Sequence, residues 1–248
     1  MFTLFSLLVH VGAASLLPNP APVRLTMQHA SYRDCSRQRP TSSYPSATRD
    51  NCTKITLAWP TVVGKPGINA HLRRHLFSVS EAPAGRNLPA DIHVALREVV
   101  ANEFYAEESY AFDVVTNRQG LLTLRNRYDY DGAGAHAYGG TMYYNYDVAH
   151  DRLLTLADLL ISGYTSRLTQ VVRQQFYRQV DGGYMPGAGY DDFTLTNDFL
   201  ITQQGLRFHY DAGDATAVAY GPFDVLLTWQ QLAPLLRPMS PVRAFFKS

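Results

Sequence analysis

A single histidine in a segment of small residues is the first feature with chemical potential. His136 stands in the run AGAHAYGG at residues 133–140, where its neighbours would let a ligand or another backbone approach closely. An imidazole in such a loop could contact a ligand or transfer a proton near neutral pH. It could equally tie its own turn through a backbone hydrogen bond, with the glycines supplying positive φ angles. No nucleophile-elbow serine, phosphate-binding loop or dinucleotide fingerprint accompanies it in the sequence.

Tyrosine is unusually frequent on both sides of this loop. The chain has 16 tyrosines, and the set nearest His136 is Tyr128, Tyr130, Tyr138, Tyr143, Tyr144 and Tyr146. Strand side chains alternate, so Tyr144 and Tyr146 share one face and Tyr143 lies on the other. We expect one face to be core and the other to form an aromatic platform for a sugar ring or a partner protein. The predicted ligand-binding residues are His136, Gly134, Tyr138, Tyr144 and Tyr146, and we assign no catalytic residue.

A second pair of histidines favours a solvated surface over metal chemistry. His71 and His75 are four residues apart on a predicted helix, which would let both face one metal ion. The glutamate of an HExxH motif is missing, and Arg73 and Arg74 stand between the two histidines. We therefore predict a solvated helix face here. For the whole chain we predict no metal site and no cofactor.

The composition is that of an ordinary globular protein. Apolar residues make up 46% of the chain, charged residues make up 17%, and the formal net charge is +1. This balance gives no reason to expect nucleic acid or an anionic membrane as a partner. It leaves the oligomeric state open.

The N-terminal segment predicts export. Residues 2–17 form an apolar run that is short for a membrane span, and small residues at Gly12 and Ala14 suit a signal-peptidase site. We predict a signal peptide at residues 1–14 and a secreted or periplasmic protein. Because no Lys or Arg precedes the run, a buried segment or a different start codon is the alternative. Cys35 and Cys52 are the only cysteines, and they predict one disulfide after export, with two free thiols as the alternative.

Hydrophobic periodicity indicates which elements would position these residues. Helical spacing predicts helices at residues 68–77, 89–107, 155–160, 164–180 and 229–236. Period-two alternation predicts a hairpin that turns at residues 117–120 and strands at residues 141–148, 193–202, 205–210 and 222–228. Residues 54–63 predict a further strand that is interrupted by Pro60. This order favours an α+β fold, with an antiparallel sheet meander and packed helices, over a doubly wound parallel sheet.

The same pass predicts the domain organisation. Residues 15–49 are rich in Pro, Ser, Arg and Thr and predict an irregular N-terminal arm, with an opening strand as the alternative. Residues 50–248 predict a single domain. Its division into subdomains at residues 50–120 and 121–238 is a possibility that the sequence leaves open.

Two longer stretches resemble a known family. The run GAGAHAYGGTMYYNYDVAHDRLLTLADLL at residues 132–160 is similar to the Gly-Ala-His loop, strand and helix start of a bacterial envelope domain. The run FLITQQGLRFHYDAGDATAVAYGPFDVLLTWQQLAPLL resembles the C-terminal strands and closing helix of the same domain. That domain occurs in the ectodomain of the RsiV anti-sigma factor and as the N-terminal module of the PdaC peptidoglycan deacetylase. The resemblance extends over residues 50–238.

The resemblance implies an RsiV-ectodomain-like α+β fold and an extracytoplasmic location. In RsiV the domain binds lysozyme as a receptor, and in PdaC it accompanies a catalytic domain that modifies peptidoglycan. Unlike those two proteins, this chain is expected to lack a spanning helix before the domain and a deacetylase domain after it. We therefore expect binding to carry over, and not signalling or deacetylation.

The preferred function is thus an exported, non-enzymatic binding module of the cell envelope. Its expected ligand is a lysozyme-like protein or the peptidoglycan glycan, held at the loop around His136 and the neighbouring tyrosines. The alternative is an envelope hydrolase in which His136 acts with a carboxylate such as Asp129 or Asp131. A third hypothesis is a structural envelope protein whose tyrosines are all in the core.

Overall fold

The computed structural model describes residues 21–35, 53–77, 107–131, 138–180, 193–215 and 217–246. Within these ranges the larger sheet consists of β1 (Leu25–Asp34), β2 (Thr53–Val62), β3 (Glu107–Arg118), β4 (Leu121–Asp131), β5 (Tyr138–Asp147) and β6 (Arg152–Leu153). The smaller sheet consists of β7 (Phe199–Ile201), β8 (Gly205–Tyr210) and β9 (Phe223–Thr228). The α-helices are α1 (Pro66–Phe77), α2 (Leu156–Leu159), α3 (Tyr164–Val180) and α4 (Trp229–Leu232), and 3-10 turns occupy Val218–Tyr220, Ala233–Leu235 and Pro241–Phe246.

The strands of the larger sheet lie side by side in the order of the sequence. Every neighbouring pair is antiparallel except β2 and β3, which are parallel. A parallel pair needs a crossover connection, and helix α1 belongs to it. The smaller sheet is antiparallel throughout. The predicted α+β fold with an antiparallel-rich sheet is confirmed, and the parallel pair is the feature that the sequence did not predict.

The predicted hairpin turns at the predicted place. Gln119 and Gly120 link β3 to β4 and have φ angles of 53° and 78°. Two consecutive positive φ angles are typical of the two-residue turns whose twist matches that of the flanking strands. Glycine adopts this conformation without strain, which explains its position in the turn.

Two cores lie on opposite faces of the larger sheet. The first packs α1 against β2–β5, with buried side chains from Ile55, Leu57, Trp59, Val62, Ile68, Leu72, Phe112, Leu122, Leu124, Tyr144 and Tyr146. The second surrounds α3 and the smaller sheet, with Leu121, Leu168, Val172, Phe176 and Phe208 among its members. Leu121 and Leu122 are adjacent in β4 and belong to different cores, as strand alternation requires.

Helix α1 receives its N-terminal cap from a distant turn. The carboxylate of Asp151, between β5 and β6, accepts hydrogen bonds from the backbone N–H of Gly67 at 2.6 Å and of Ile68 at 3.0 Å. The first N–H groups of a helix have no partner within the helix, so this carboxylate satisfies two of them. A Cβ at position 67 would lie 2.2 Å from the carbonyl oxygen of Asp151, which leaves room only for glycine.

Most predicted elements are present, with three differences. Residues 25–34, predicted as part of an irregular arm, form the full-length strand β1, because each pairs with a residue of β2. Only Phe199–Ile201 of the predicted strand at residues 193–202 is extended and paired. Strand β2 continues across Pro60, which the sequence predicted as an interruption. The predicted helix at residues 89–107 and the predicted signal peptide lie outside the described residues, apart from Glu107 in β3.

The β1–β2 ladder bears on the predicted disulfide. It ends with Asp34 opposite Thr53, and the next residues of the chain beyond this pair are Cys35 and Cys52. Cys35 is not a free thiol. Cys52 lies outside the described residues, so the pairing stays a prediction that the register favours. Among the described residues, no helix is both long enough and apolar enough to cross a membrane.

Candidate functional site

Two of the predicted ligand-binding tyrosines are inaccessible to a ligand. Gly134 and His136 lie outside the described residues, and Tyr138 is described only as the first residue of β5. Tyr144 and Tyr146 are core residues, with 9% and 0% of their surface exposed. Alternation placed these two tyrosines together correctly, but the face they share is the one that packs against α1. An aromatic platform at Tyr144 and Tyr146 is therefore closed to a ligand, and the role of the His136 segment stays a prediction.

The two histidines of α1 are the partners of these tyrosines. Nδ1 of His71 lies 3.0 Å from the hydroxyl of Tyr146, and Nε2 of His75 contacts the hydroxyl of Tyr144. The solvated face predicted for His71 and His75 is thus wrong, because both imidazoles point into the sheet. Burial lowers the pKa of each, with the charge of Arg74 adding to the effect on His71. In the described part of the chain, no group of three or more metal-ligating side chains could hold an ion.

The edge of β5 that β6 leaves unpaired is bound to the segment of the smaller sheet by carboxylates. Asp198 accepts a hydrogen bond from the backbone N–H of Tyr143 at 2.7 Å. Asp211 accepts from the backbone N–H of Thr141 with both oxygens, at 3.0 and 3.3 Å. These N–H groups lie along β5 where it faces β7, and the carboxylates satisfy them without a continuous ladder.

Close packing against other atoms of the chain explains the two glycines that follow the His136 segment. A Cβ at Gly140 would lie 2.6 Å from Oδ2 of Asp211, and a Cβ at Gly139 would lie 2.6 Å from the carbonyl oxygen of Tyr128. Neither glycine has a positive φ. The sequence suggested positive φ angles or ligand approach, whereas the structure shows close packing against the chain's own atoms.

A histidine that the sequence did not single out lies at the centre of this contact. Nδ1 of His209 is 2.7 Å from Oδ1 of Asp224, and Nε2 is 3.1 Å from Oδ1 of Asp211. The His209 side chain is 9% exposed. We call His209, Asp198, Asp211 and Asp224 the His209 cluster. The ring of Tyr143 meets the imidazole edge-on, with 5.6 Å between the ring centres.

The electrostatics of the His209 cluster favour a protonated imidazole. Burial lowers the pKa of His209, but the hydrogen bonds to Asp224 and Asp211 outweigh it, and the net shift is upward. Burial raises the pKa of Asp198 to about 7, against the opposing hydrogen bond from the Tyr143 N–H. With a carboxylate on each ring nitrogen, His209 acts as a double donor. This geometry joins the two sheets and leaves neither ring nitrogen for proton transfer to a substrate.

Strand alternation could have revealed half of the His209 cluster. His209 and Asp211 are two residues apart at the end of β8 and share one face. Asp198 precedes β7 and Asp224 lies in β9. Their approach depends on the pairing of three separate strands, which no local spacing in the sequence shows.

An open hollow crosses β1, β2 and β3. It lies on the face of the larger sheet that is turned away from α1, which is also the face that the smaller sheet packs against. Its volume is about 300 Å³, and its lining is His29, Ala30, Ser31, Thr56, Leu57, Ala58, Ser109, Tyr110 and Ala111. We call it the outer groove. Two cross-strand rows form its floor, His29–Ala58–Ala111 and Ser31–Thr56–Ser109. The hollow exists because small side chains stand in these rows, and three hydroxyls and an imidazole give it hydrogen-bonding groups.

Charged residues of β4 stand next to the two rows that form the floor of the outer groove. Arg127 stands directly opposite Ala111, and Asp129 stands opposite Ser109 and accepts a hydrogen bond from its hydroxyl at 3.2 Å. On the other side, Asp129 pairs in register with Gly139 of β5. Arg127 and Asp129 therefore lie between the groove and β5, the strand that carries the end of the His136 segment.

Comparison with known proteins places the fold in a family context. Residues 157–230 match the family model described as "Protein of unknown function (DUF3298)", and no curated protein matches the chain. A solved DUF3298 family member from Bacteroides fragilis is 17% identical with a TM-score of 0.71, covering 92% of this chain and 99% of that one. A DUF3298 family protein from Pseudomonas aeruginosa PAO1 is 16% identical with a TM-score of 0.69, covering 88% and 96%. The chain thus carries a segment, including the whole His209 cluster, that matches the DUF3298 model, and it has the fold of solved DUF3298 family proteins.

Proposed function

We propose that this chain is an exported, non-enzymatic binding module of the bacterial cell envelope that holds a cell-wall glycan in the outer groove. The observation that carries the proposal is the groove itself. A volume of about 300 Å³ is at the small end of sites that hold small ligands. Its one row of hydroxyls, Ser31–Thr56–Ser109, suits the many hydroxyl and amide groups of a sugar chain, and its alanines allow a ring to lie close to the sheet.

The His209 cluster supports binding over catalysis. A general acid or base needs a nitrogen or oxygen that can reach the reacting atom. Both ring nitrogens of His209 are engaged by aspartates, at 2.7 and 3.1 Å. This buried histidine is therefore part of the contact between the two sheets.

The export component of the proposal rests on the N-terminal sequence and on the resemblance to the RsiV and PdaC envelope domain.

The geometry favours a glycan over a lysozyme-like protein as the ligand. A stable protein interface buries roughly 800 Å² on each partner, usually around aromatic anchors. Tyr144 and Tyr146, the predicted aromatic anchors, are in the core. An open hollow with alanines and hydroxyl side chains on its floor is a better match to a single chain of sugars.

The test is calorimetric titration with soluble peptidoglycan fragments and, separately, with a c-type lysozyme. Ala58→Trp would fill the groove, and we expect it to weaken fragment binding at least tenfold. Ala149→Trp, in the exposed turn after β5, is the matched control and should bind like the wild type. His136→Ala tests the predicted role of the segment that precedes β5. Lysozyme binding that survives Ala58→Trp would favour the protein-receptor alternative, and no binding of either ligand would refute the proposal.

The hydrolase alternative has one supporting observation. Asp129, one of the carboxylates that the sequence paired with His136, lies opposite Ser109 beside the outer groove and in register with Gly139. If the site is catalytic, the wild type should release reducing ends from labelled peptidoglycan. Asp129→Asn and His136→Ala should each abolish that release while the protein stays folded. Absence of turnover in the wild type would leave the binding function.

A further inference from the structure

Two guanidinium groups share a single carboxylate oxygen beside the outer groove. Nη2 of Arg125 lies 2.8 Å from Oδ2 of Asp113, and Nε of Arg127 lies 3.1 Å from the same atom. One carboxylate neutralises one guanidinium, so the trio carries one positive charge in excess. Arginine is the side chain best suited to present such a charge to a second carboxylate, because its planar fork matches that group in two points.

The hydrogen-bonding capacity of the arginines is only partly used. Nε of Arg125 is buried and has no hydrogen-bond partner in the described part of the structure. Arg127 contacts Asp113 through Nε, and its side chain is 52% exposed.

Positive and negative charges lie at different positions beside the outer groove. At the far end of the groove, Nζ of Lys54 lies 2.7 Å from Oε1 of Glu107, so these two charges neutralise each other. Asp129 follows Arg127 by two residues on the same face and is hydrogen-bonded by Ser109. An anion is therefore attracted at Arg127 and repelled at Asp129, while Asp129 and Ser109 suit the hydroxyl groups of a sugar.

We propose that the outer groove selects an acidic cell-wall sugar, with its carboxylate bound by Arg127 and its hydroxyl groups directed towards Ser109 and Asp129. This inference rests on the proposed glycan-binding function and names the chemical class that the site prefers. A glycan composed only of neutral amino sugars would fill the groove without using the excess positive charge. A glycan with carboxylate-bearing units would use both.

The decisive experiment compares matched ligands on the intact protein. Three soluble oligosaccharides of equal length serve as probes: a neutral N-acetylglucosamine oligomer, a muramic-acid-containing oligomer, and the methyl ester of the latter. We expect the wild type to bind the acid at least tenfold more tightly than the ester or the neutral oligomer. The preference should shrink as sodium chloride is raised, because the groove is open to solvent and its charges are screened.

Variants assign the preference to Arg127. Arg127→Gln should remove the preference for the acid, so that the acid, its ester and the neutral oligomer bind equally, and Arg127→Lys should keep part of the preference. Arg167→Gln, on the exposed surface of α3, makes the same change of net charge and should leave the preference intact.

Each outcome decides between the two proposals. Equal affinity of the wild type for acid and ester, or equal preferences in Arg127→Gln and Arg167→Gln, would overturn the acidic-sugar inference while glycan binding stands. No binding of any oligosaccharide would overturn both. Should Arg127→Gln fail to fold, the comparison of acid with ester on the wild type decides by itself.

Discussion

The carboxylate of Asp211 determines which residue can stand at position 140. It accepts hydrogen bonds from the N–H of Thr141 and contacts Nε2 of His209, and it occupies the space that a side chain at Gly140 would need. A glycine beside a histidine in sequence resembles a ligand-binding loop. In this case the glycine accommodates an atom of the protein's own second sheet.

Gly140→Ala should therefore lower the free energy of unfolding by about 1–3 kcal/mol, the usual cost of overpacking. The cause would be displacement of the Asp211 carboxylate from Thr141 and His209. Denaturant unfolding of the single variants and of Gly140→Ala/Asp211→Ala measures the coupling. We expect the glycine substitution to cost less when Asp211 is alanine. An identical cost in both backgrounds would show that the carboxylate is not the obstacle.

The protonation of His209 is a second residue-level prediction. Its pKa is raised, so the stability that protonated His209 contributes is fully present below the unfolded value of about 6.5 and is lost as pH rises through the folded pKa. The raised pKa of Asp198, about 7, acts in the same direction. A histidine titration by NMR should show His209 above 6.5 in the wild type and lower in Asp224→Asn. An unchanged His209 titration in the variant would contradict this assignment, and His150, whose partner is Asp147, serves as the internal reference.

At the scale of elements, helix α1 and strand β5 meet through matched periodicities. Histidines four residues apart lie on one side of the helix, and tyrosines two residues apart lie on one side of the strand. His71 thereby reaches Tyr146, and His75 reaches Tyr144. Each polar contact is half-buried, so its strength depends on the charge of the imidazole.

Acidification should loosen the packing of α1. Burial lowers the pKa of both His71 and His75, so their contribution to stability is present above about 6.5 and is lost as pH falls through the lowered folded values. We expect these two histidines to contribute a decline in melting temperature between pH 7 and pH 5, while the His209 cluster contributes in the opposite direction. His71→Asn/His75→Gln, which keeps an amide near each contacting nitrogen, should flatten that decline. His150→Asn changes an exposed imidazole and is the control, and equal slopes in all three proteins would refute the prediction.

For the whole molecule, Asn145 of β5 is the buried link between the two sheets. Its Oδ1 accepts from the hydroxyl of Thr123 at 3.0 Å and from the N–H of Ile201 at 3.2 Å, and its Nδ2 donates to the carbonyl of Phe199 at 2.7 Å. One side chain thus satisfies polar groups of β4 and β7 at the boundary of the second core. The two sheets should therefore unfold together.

Asn145→Leu should lower the stability of the whole chain by about 2–5 kcal/mol, because it leaves several buried polar groups without partners. Thr123→Val removes one of these hydrogen bonds and should cost about 1 kcal/mol. Urea unfolding followed by circular dichroism and by tryptophan fluorescence measures both. Non-coincident transitions in the wild type would contradict a single cooperative unit.

The individual helices and strands could be predicted from the sequence, but the way they pack against one another could not. Helical spacing placed α3 at residues 164–180, and alternation placed β8 at residues 205–210, both with the bounds that the structure shows. Alternation also grouped Tyr144 with Tyr146, but it does not tell which face of a strand is covered. That choice follows from α1, whose position depends on the parallel crossover from β2 to β3.

The candidate site was beyond sequence reasoning for a related reason. The outer groove is made of ordinary residues, alanines, serines and a threonine, which become a site only when three strands align them in rows. The His209 cluster draws residues from three segments of the second half of the chain. The glycines and the histidine before and within β5 predicted a ligand-binding loop. For Gly139 and Gly140, the reason that glycine is needed is close packing against Tyr128 and Asp211.

The distant cap on α1 has a consequence for synthesis on the ribosome. Asp151 and the helix start it caps are 84 residues apart, so α1 leaves the exit tunnel long before its cap is made. At typical elongation rates of ~5–20 residues per second, the delay is several seconds. During that interval the helix has neither its cap nor β5 to pack against. The nascent chain therefore offers an apolar helix face to chaperones until the second half of the large sheet has been translated.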